Sequence, residues 1–389
     1  MAMPKTFPRQ SAVTEWALAV VLLLLPIYGH GQSYPVEYLN SPYVGWGVSK
    51  DQTNSINLAN AWKIFKKNKE IVVAVVDTGI DPLHPFIKDN LWVPGVVKNA
   101  QGSTDSFGMD FAKGRANANR PYDSHGHGTH VAGIVKSIFP DVKILVLKYY
   151  NPEASGQDNL NSTIDALRFA VKSGVDIINY SGGGPEPSNE ELAVLKEAEK
   201  KGILVVAASG NDEQNIDKGT FRYYPASYGL SNILTVTTHD ENLKMLASSN
   251  YGPYSVDIAA PGNRIKSSLP YERAGFLTGT SQATAFVSGV AALLKAQYPD
   301  LDYHAIKNII LKSARKEPAL KGMCNSEGRL DAFLALGFAA QIKNIPDFNV
   351  KVAQRMPNSR NMRQKASGYL IRDQRRANNS LTGPKKISQ

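Results

Sequence analysis

The chain has 389 residues, 42% of them hydrophobic, so it is long enough to bury one large core or two smaller ones. Its net charge of +10 invites a nucleic-acid or membrane partner, but residues 345–389 hold ten Lys and Arg against two Asp and carry +8 of that total. The rest of the chain is almost neutral. A single cysteine, Cys324, excludes an intrachain disulfide, and its flanks give no metal-binding spacing.

The first 31 residues have the organisation of a secretory signal peptide. Lys5 and Arg9 precede an apolar run over residues 17–25, and a small-residue exit ends at Gly31. Because the run is short for a membrane span, we predict cleavage after Gly31, with an uncleaved anchor as the alternative. No cysteine follows the run, which excludes a lipoprotein anchor. The predicted localisation is therefore secreted or periplasmic.

Strands and helices alternate through the central part of the chain. The continuously apolar, β-branched run at 71–76 predicts a strand buried on both faces. Further strands are predicted at 143–147, 175–178, 203–208 and 233–237, and helices at 56–62, 131–138, 162–172, 190–200, 283–298, 302–314 and 330–341. This alternation predicts an α/β fold of three layers, with a mostly parallel central sheet and helices on both faces.

Polar residues follow three of the predicted strands, where parallel sheets bind ligands. They are Asp77, the segment from Asn179 to Gly184, and the segment from Ser209 to Asn211. Taken singly, Asp77 and Asn211 are more typical of turns and caps than of catalysis.

Two further segments carry candidate chemistry. His125, His127 and His130 would suit a metal site, but no carboxylate lies within one turn as in a His-Glu-x-x-His helix, so a metal is disfavoured. Ser281 lies between a Gly-Thr turn and an apolar helix, where free backbone N–H groups would stabilise an oxyanion. A helix N-cap is the commoner role for such a serine.

The order of these residues along the chain is informative. Asp77, His127 and Ser281 occur in the chain order of subtilisin-type catalytic residues. The chain resembles the subtilisin-like serine peptidases (the subtilase family) in Val75-Val76-Asp77-Thr78-Gly79-Ile80-Asp81, in His127-Gly128-Thr129-His130-Val131-Ala132-Gly133 and in Gly279-Thr280-Ser281. The resemblance covers residues 46–336.

The resemblance implies an exported serine endopeptidase that hydrolyses peptide bonds through an acyl-enzyme intermediate. Protein or peptide substrates are implied, with a catalytic triad of Asp77, His127 and Ser281 and an oxyanion donor at Asn211. The implied substrate-binding residues, along which a peptide would pair in extended form, are Ser181, Gly182, Gly183, Ser209 and Gly210.

Two alternatives to a peptidase remain. One is a catalytically silent subtilisin-like protein that binds peptides in the same cleft. The other takes the basic tail as a nucleic-acid or anionic-surface binder, although a solvated, disordered extension over 345–389 fits its few aromatic residues better. We therefore expect a monomer with no specific nucleic-acid partner and at most weak anionic-surface contact through the tail.

Several positions depart from the family pattern. Gln282 stands where Met is usual and Ala285 where a helix proline is usual, which puts catalytic efficiency in question. Phe86 replaces a calcium-binding Asp, so the strong calcium site is expected to be absent, and no metal or cofactor is predicted. Gly182 replaces a bulkier residue, which predicts a more open cleft wall. The domain is expected to span 32–344, with no room for a separate folding propeptide.

Overall fold

The computed structural model describes residues 34–94, 106–114 and 118–343. The predicted signal peptide (1–31) and the predicted basic tail (345–389) lie outside these residues. Within the described ranges, no helix combines the length and the apolar character that a membrane crossing requires.

The described residues form seven α-helices and eleven β-strands. The helices α1 to α7 are Leu58–Ile64, His127–Ile138, Gly156–Ser173, Asn189–Lys200, Thr280–Gln297, Tyr303–Lys312 and Ala332–Lys343. The strands β1 to β11 are Val72–Asp77, Met109–Asp110, Lys143–Lys148, Ile177–Tyr180, Leu204–Ala208, Ile233–His239, Ile258–Pro261, Ile265–Leu269, Arg273–Leu277, Arg315–Lys316 and Gly328–Arg329.

Nine of these strands form one sheet in the order β10-β11-β7-β6-β5-β4-β1-β3-β2. All neighbours in it are parallel except β10 and β11, while β8 and β9 form a separate antiparallel hairpin. The chain passes from β1 to β3 on one side and then returns to β4 on the other. The strand order therefore reverses between β1 and β4, and a crevice forms at such a point in open α/β sheets.

Helices cover both faces of the sheet, as the side chains of β1 show. Val73 and Val75 pack into a core shared with α2 and α5, whereas Ala74 and Val76 pack into a core shared with α3 and α4. Successive side chains of a strand point to opposite faces, so a continuous apolar run needs two cores. The prediction of a three-layer α/β fold is confirmed.

Helix α5 runs through the middle of the larger core. All its residues except Lys295 and Gln297 are buried. At its crossing with α2, a Cβ built on Gly289 would lie 2.7 Å from Ile138 Cδ1 and 2.8 Å from Ile138 Cβ. Only glycine allows the two helices this separation, which fixes the distance between the elements that carry His127 and Ser281.

Some predicted boundaries are wrong. Strand β4 begins at Ile177 because the Asp176 side chain turns back to accept hydrogen bonds from Val72 N (3.0 Å) and Lys69 Nζ (2.6 Å). Helix α3 begins six residues earlier than predicted, since Ser155 Oγ caps it by accepting from Asp158 N at 3.1 Å.

Candidate active site

Asp77 and His127 are joined by a short hydrogen bond at the carboxyl end of the sheet. Asp77 is the last residue of β1, and 3% of its side chain is exposed. His127 is the first residue of α2, and its Nδ1 lies 2.7 Å from Asp77 Oδ1. Because a carboxylate only accepts hydrogen bonds, Nδ1 is the donor, and Nε2 of the neutral ring is left to accept a proton.

The surroundings of His127 favour its protonated form. Burial lowers the pKa of the imidazole, but the charge and hydrogen bond of Asp77 and the charge of Asp123 raise it by more. The pKa of His127 therefore lies above its ordinary value. Such a ring accepts a proton readily, which is the property a general base requires.

A second buried carboxylate, Asp123, fixes the start of α2. It accepts hydrogen bonds from Thr78 Oγ1 (2.8 Å), Gly126 N (2.7 Å), and the N (2.9 Å) and Oγ1 (2.7 Å) of Thr129. Burial opposes ionisation, but these hydrogen bonds outweigh it and hold the pKa of Asp123 below its usual value. Thr78 Oγ1 in turn accepts from Gly128 N at 2.9 Å. These hydrogen bonds therefore join the end of β1 to the start of α2.

Ser281 lies at the N-terminal end of α5, one residue after the helix begins, and is 8% exposed. Its Oγ donates to the carbonyl oxygen of Ser181 at 2.9 Å, and Ser181 Oγ donates to the carbonyl oxygen of Ser281 at 3.2 Å. Among the hydrogen bonds of the described residues, none joins Ser281 to His127. The structure thus holds the Ser281 hydroxyl against the end of β4.

Asn179 connects this strand end to α5. Its Nδ2 donates to Ser181 Oγ, and its Oδ1 accepts from Ser288 Oγ, both at 2.8 Å. All three side chains are buried. The polar chain therefore fixes the position of Ser181, and through it the hydroxyl of Ser281.

Asn211 lies beside the start of α5, after the end of β5. Its Oδ1 accepts from Thr280 N at 3.0 Å and from Thr280 Oγ1 at 3.2 Å. These two donors identify the oxygen of the amide, so the exposed Asn211 side chain keeps its N–H₂ group for another acceptor. Nearby, the first backbone N–H groups of α5 have no acceptor within the helix.

The sequence-predicted substrate-binding residues flank Ser281 on two sides. Ser181, Gly182 and Gly183 follow β4, whereas Ser209 and Gly210 follow β5. Ser209 is fully buried. Its Oγ donates to the Asn250 carbonyl at 2.9 Å, its N–H donates to the Val236 carbonyl at 3.0 Å, and its own carbonyl accepts from Asn250 Nδ2 at 2.9 Å. Ser209 therefore offers no free polar group to a ligand in this structure.

Gly182 does not leave a cleft wall open. A Cβ built on Gly182 would lie 2.5 Å from the hydroxyl oxygen of Tyr149 and 3.1 Å from Tyr180 Cε2. The expectation of a more open wall is therefore wrong, because Tyr149 occupies the space.

The three histidines do not converge on one point. His130 is fully buried, its Nε2 lies 2.9 Å from the Ile265 carbonyl oxygen, and burial and the nearby His127 lower its pKa to about 4. His125 is exposed, and its ring lies 6.3 Å from that of His127 and 5.8 Å from that of Tyr150 between centroids. Within the part of the chain that the structure describes, no group of three His, Cys, Asp or Glu side chains could hold a metal ion.

The sequence pattern assigns no role to Asp123 and marks Asn179 only as the first residue of a polar segment after a strand. The signal for Asp123 was its place just before a helix start, where carboxylates bind free N–H groups. The signal for Asn179 was a polar residue at the end of an otherwise apolar strand, since buried polar groups need partners.

Comparison with known proteins identifies the family of the chain. Residues 68–331 match the subtilase family. The chain belongs to the subtilase family.

Curated relatives and a solved structure agree with this assignment. The subtilase is 34% identical over 250 residues to the major intracellular serine protease of Bacillus subtilis (strain 168), covering 62% of this chain and 73% of the relative. It is 32% identical over 292 residues to the thermophilic serine proteinase of Bacillus sp. (strain AK1), covering 72% and 64%. The structure of a protease from Pseudoalteromonas arctica PAMC 21717 superposes with a TM-score of 0.62 at 25% identity, covering 76% and 97%.

The predicted resemblance and the predicted class, a serine-type endopeptidase, are confirmed. The positions that depart from the family pattern lie within the subtilase core. Gln282 is buried, and its Nε2 has no hydrogen-bond partner among the described residues. Ala285 is buried within α5, which continues through it unbroken.

Proposed function

We propose that this subtilase cleaves peptide bonds through a triad of Asp77, His127 and Ser281. The observation that carries the proposal is the 2.7 Å hydrogen bond between Asp77 Oδ1 and His127 Nδ1, which leaves Nε2 to act as the base. Relatives named as a serine protease and a serine proteinase are 34% and 32% identical to the chain.

In the proposed reaction, Ser281 Oγ leaves its contact with the Ser181 carbonyl and gives its proton to His127 Nε2. The oxygen forms a bond to the substrate carbonyl carbon, and Asp77 stabilises the imidazolium. The carbonyl oxygen takes the negative charge, which Asn211 Nδ2 and the Ser281 N–H stabilise. Collapse breaks the C–N bond, and the amine leaves with the proton from His127. Water then repeats the sequence and releases the acid.

The substrate is proposed to be an extended peptide that pairs with the backbone after β4. Ser181, Gly182 and Gly183 offer main-chain groups there, as an exposed strand edge does in β-augmentation. Serine endopeptidases of this kind act on proteins or peptides, so no other substrate class is invoked.

A second candidate is a silent protein that binds peptides without cleaving them. It is favoured by one observation, the hydrogen bond from Ser281 to Ser181 in place of one to His127. Apo structures often show catalytic hydrogen bonds that tighten only with substrate bound, so this contact does not exclude catalysis.

Labelling with a fluorophosphonate separates the two candidates. The reagent should modify Ser281 in the wild type, fail with Ser281→Ala, and react far more slowly with His127→Ala. The matched control is His125→Ala, which removes the exposed neighbouring imidazole and should label like the wild type. Absence of labelling in a folded wild type would favour the silent protein.

Export through residues 1–31 is also proposed, although one relative is named as intracellular. The proposal is compatible with the packing of Tyr34, which lies three residues after the proposed cleavage point: its ring lies 5.2 Å from that of Trp62 and 5.9 Å from that of Phe65. N-terminal sequencing of exported Ser281→Ala protein should begin close to Gln32. A mature N-terminus well inside the domain would contradict the proposed cleavage after Gly31.

We further propose that the subtilase is stable without calcium at the position of Phe86. The Phe86 ring packs 5.5 Å from Tyr38 and 5.4 Å from Tyr43, and Lys136 Nζ lies 5.0 Å from its centroid. This cluster of aromatic side chains and an ammonium group supplies no carboxylate or amide side-chain oxygen, which are the side-chain ligands of calcium.

A further inference from the structure

The ends of β4 and β5 separate beside the candidate nucleophile. The two strands pair in parallel as far as Tyr180 and Ala207. Beyond this point, the segment after β4 contacts Ser281 through Ser181, while the segment after β5 contacts Thr280 through Asn211. The start of α5 therefore faces a gap between two strand ends, and each of them contributes a glycine to it.

The ring of Tyr223 fills this gap. A Cβ built on Gly183 would lie 2.6 Å from Tyr223 Cε1, and a Cβ built on Gly210 would lie 2.7 Å from Tyr223 Cε2. The two carbons are on opposite edges of the ring, so the ring spans the gap from one glycine to the other. Its close approach on both sides needs a residue without a side chain at both positions.

The backbone around Tyr223 is held in place. Tyr223 N donates to Ser227 Oγ at 3.2 Å, and its carbonyl accepts from Ser227 N at 2.8 Å. The next residue, Tyr224, exchanges two backbone hydrogen bonds with Gly184, at 3.0 and 2.7 Å. The ring also packs against the small core that contains Ile216 and Cys324. A substrate would therefore meet Tyr223 as a fixed surface.

We propose that Tyr223 determines specificity by limiting the side chain on the acyl side of the scissile bond to small residues such as Gly, Ala or Ser. The proposal rests on the proposed peptidase function. A substrate residue that pairs with the backbone after β4 and places its carbonyl between Ser281 and Asn211 directs its side chain into the gap between Gly183 and Gly210. Tyr223 occupies that space.

The size of the effect follows from steric exclusion. An aromatic or long aliphatic side chain would have to displace a ring that is packed on both edges, whereas a methyl group adds little volume. Hydrophobic pockets discriminate by about 10–200-fold for even small changes of side-chain size. We therefore expect kcat/KM to be at least about 10-fold higher for Ala than for Phe at this position.

The test is a peptide series that differs only in the residue before the cleaved bond: Gly, Ala, Ser, Leu and Phe. The wild type should prefer the first three. Tyr223→Ala should raise kcat/KM for Phe and Leu relative to Ala by at least about 10-fold, whereas Tyr223→Phe should keep the wild-type preference because the ring remains. The matched control is Tyr254→Ala, which removes a ring that is 60% exposed and should leave the preference unchanged.

Each result decides the proposal. A wild type that cleaves after Phe or Leu as well as after Ala overturns it, and this measurement does not depend on whether Tyr223→Ala folds. A preference that Tyr223→Ala leaves unchanged, in a folded protein, also overturns it. If Ser281 is not labelled by fluorophosphonate and no peptide is cleaved, the peptidase function itself has failed. Labelling together with a preference for large side chains contradicts the role of Tyr223 alone.

Discussion

Replacement of Asp123 by alanine should lower the free energy of unfolding by about 3–5 kcal/mol. The carboxylate accepts five hydrogen bonds, from Thr78 Oγ1, His125 N, Gly126 N and two groups of Thr129, at 2.7 to 3.1 Å. Each hydrogen bond to a charged group contributes about 1.5–3 kcal/mol, but several of these donors would regain water after truncation, so the full sum does not apply. The lower limit of about 3 kcal/mol corresponds to the complete loss of about two such hydrogen bonds.

Urea unfolding measures this change best in a Ser281→Ala background, which prevents self-digestion during the experiment. Asp123→Asn keeps one carbonyl oxygen and should lose less than Asp123→Ala. As a control, Asp300→Ala removes a carboxylate whose side chain is 82% exposed and should shift the free energy by no more than about 0.5 kcal/mol. A loss below about 1 kcal/mol for Asp123→Ala would refute the reasoning.

The same variant has a defined pH dependence. The pKa of Asp123 is depressed by folding, so its contribution is complete above the unfolded value of about 3.9 and is lost as pH falls through the folded pKa. The difference in the free energy of unfolding between the wild type and Asp123→Ala should therefore disappear only in strong acid. In catalysis, loss of the Asp123 charge lowers the pKa of His127, so the acidic limb of kcat/KM should move to lower pH.

Three further predictions concern the reaction and its environment. Asn211→Ala should reduce kcat by about 10²–10³ with little change in KM, because its N–H₂ group is proposed to bind the oxyanion; an unchanged kcat would remove Asn211 from that role. Wild-type activity should survive mild peroxide while Gln282→Met becomes sensitive, since only the thioether is oxidised beside Ser281; rapid loss in the wild type would contradict this. A chelator should change the melting temperature by less than about 2 °C, a shift that corresponds to roughly 1.3 kcal/mol for a domain of about 310 residues, and a large fall would reveal a calcium site.

The sequence predicts the central strands well because their patterns are uniform. The run from Ile71 to Val76 is apolar without interruption, and such a run has few structures available other than a strand buried on both faces. The hairpin of β8 and β9 is not predicted, since Ile265–Leu269 and Arg273–Leu277 mix polar and apolar residues irregularly. Its position depends on contacts such as that between His130 and the Ile265 carbonyl, which no local pattern encodes.

The candidate site likewise contains some residues that the sequence predicts and others that it does not. Asp77 and His127 stand in short motifs, so their pairing could be expected before the structure was known. The partner of the Ser281 hydroxyl and the role of Asp123 depend on residues distant in sequence, which converge only on folding. Tyr223 lies in a loop without periodicity, and nothing in its neighbours indicates that its ring reaches Gly183 and Gly210.

The contact between Gly289 and Ile138 makes the spacing of His127 and Ser281 a property of the core. His127 and Ser281 lie at the starts of two helices that meet where Gly289 contacts Ile138, so this contact sets the relative position of the two proposed catalytic residues. A methyl group added there would tilt one helix against the other and displace its far end. If His127 and Ser281 act as proposed, a substitution at this buried apolar contact should therefore change turnover.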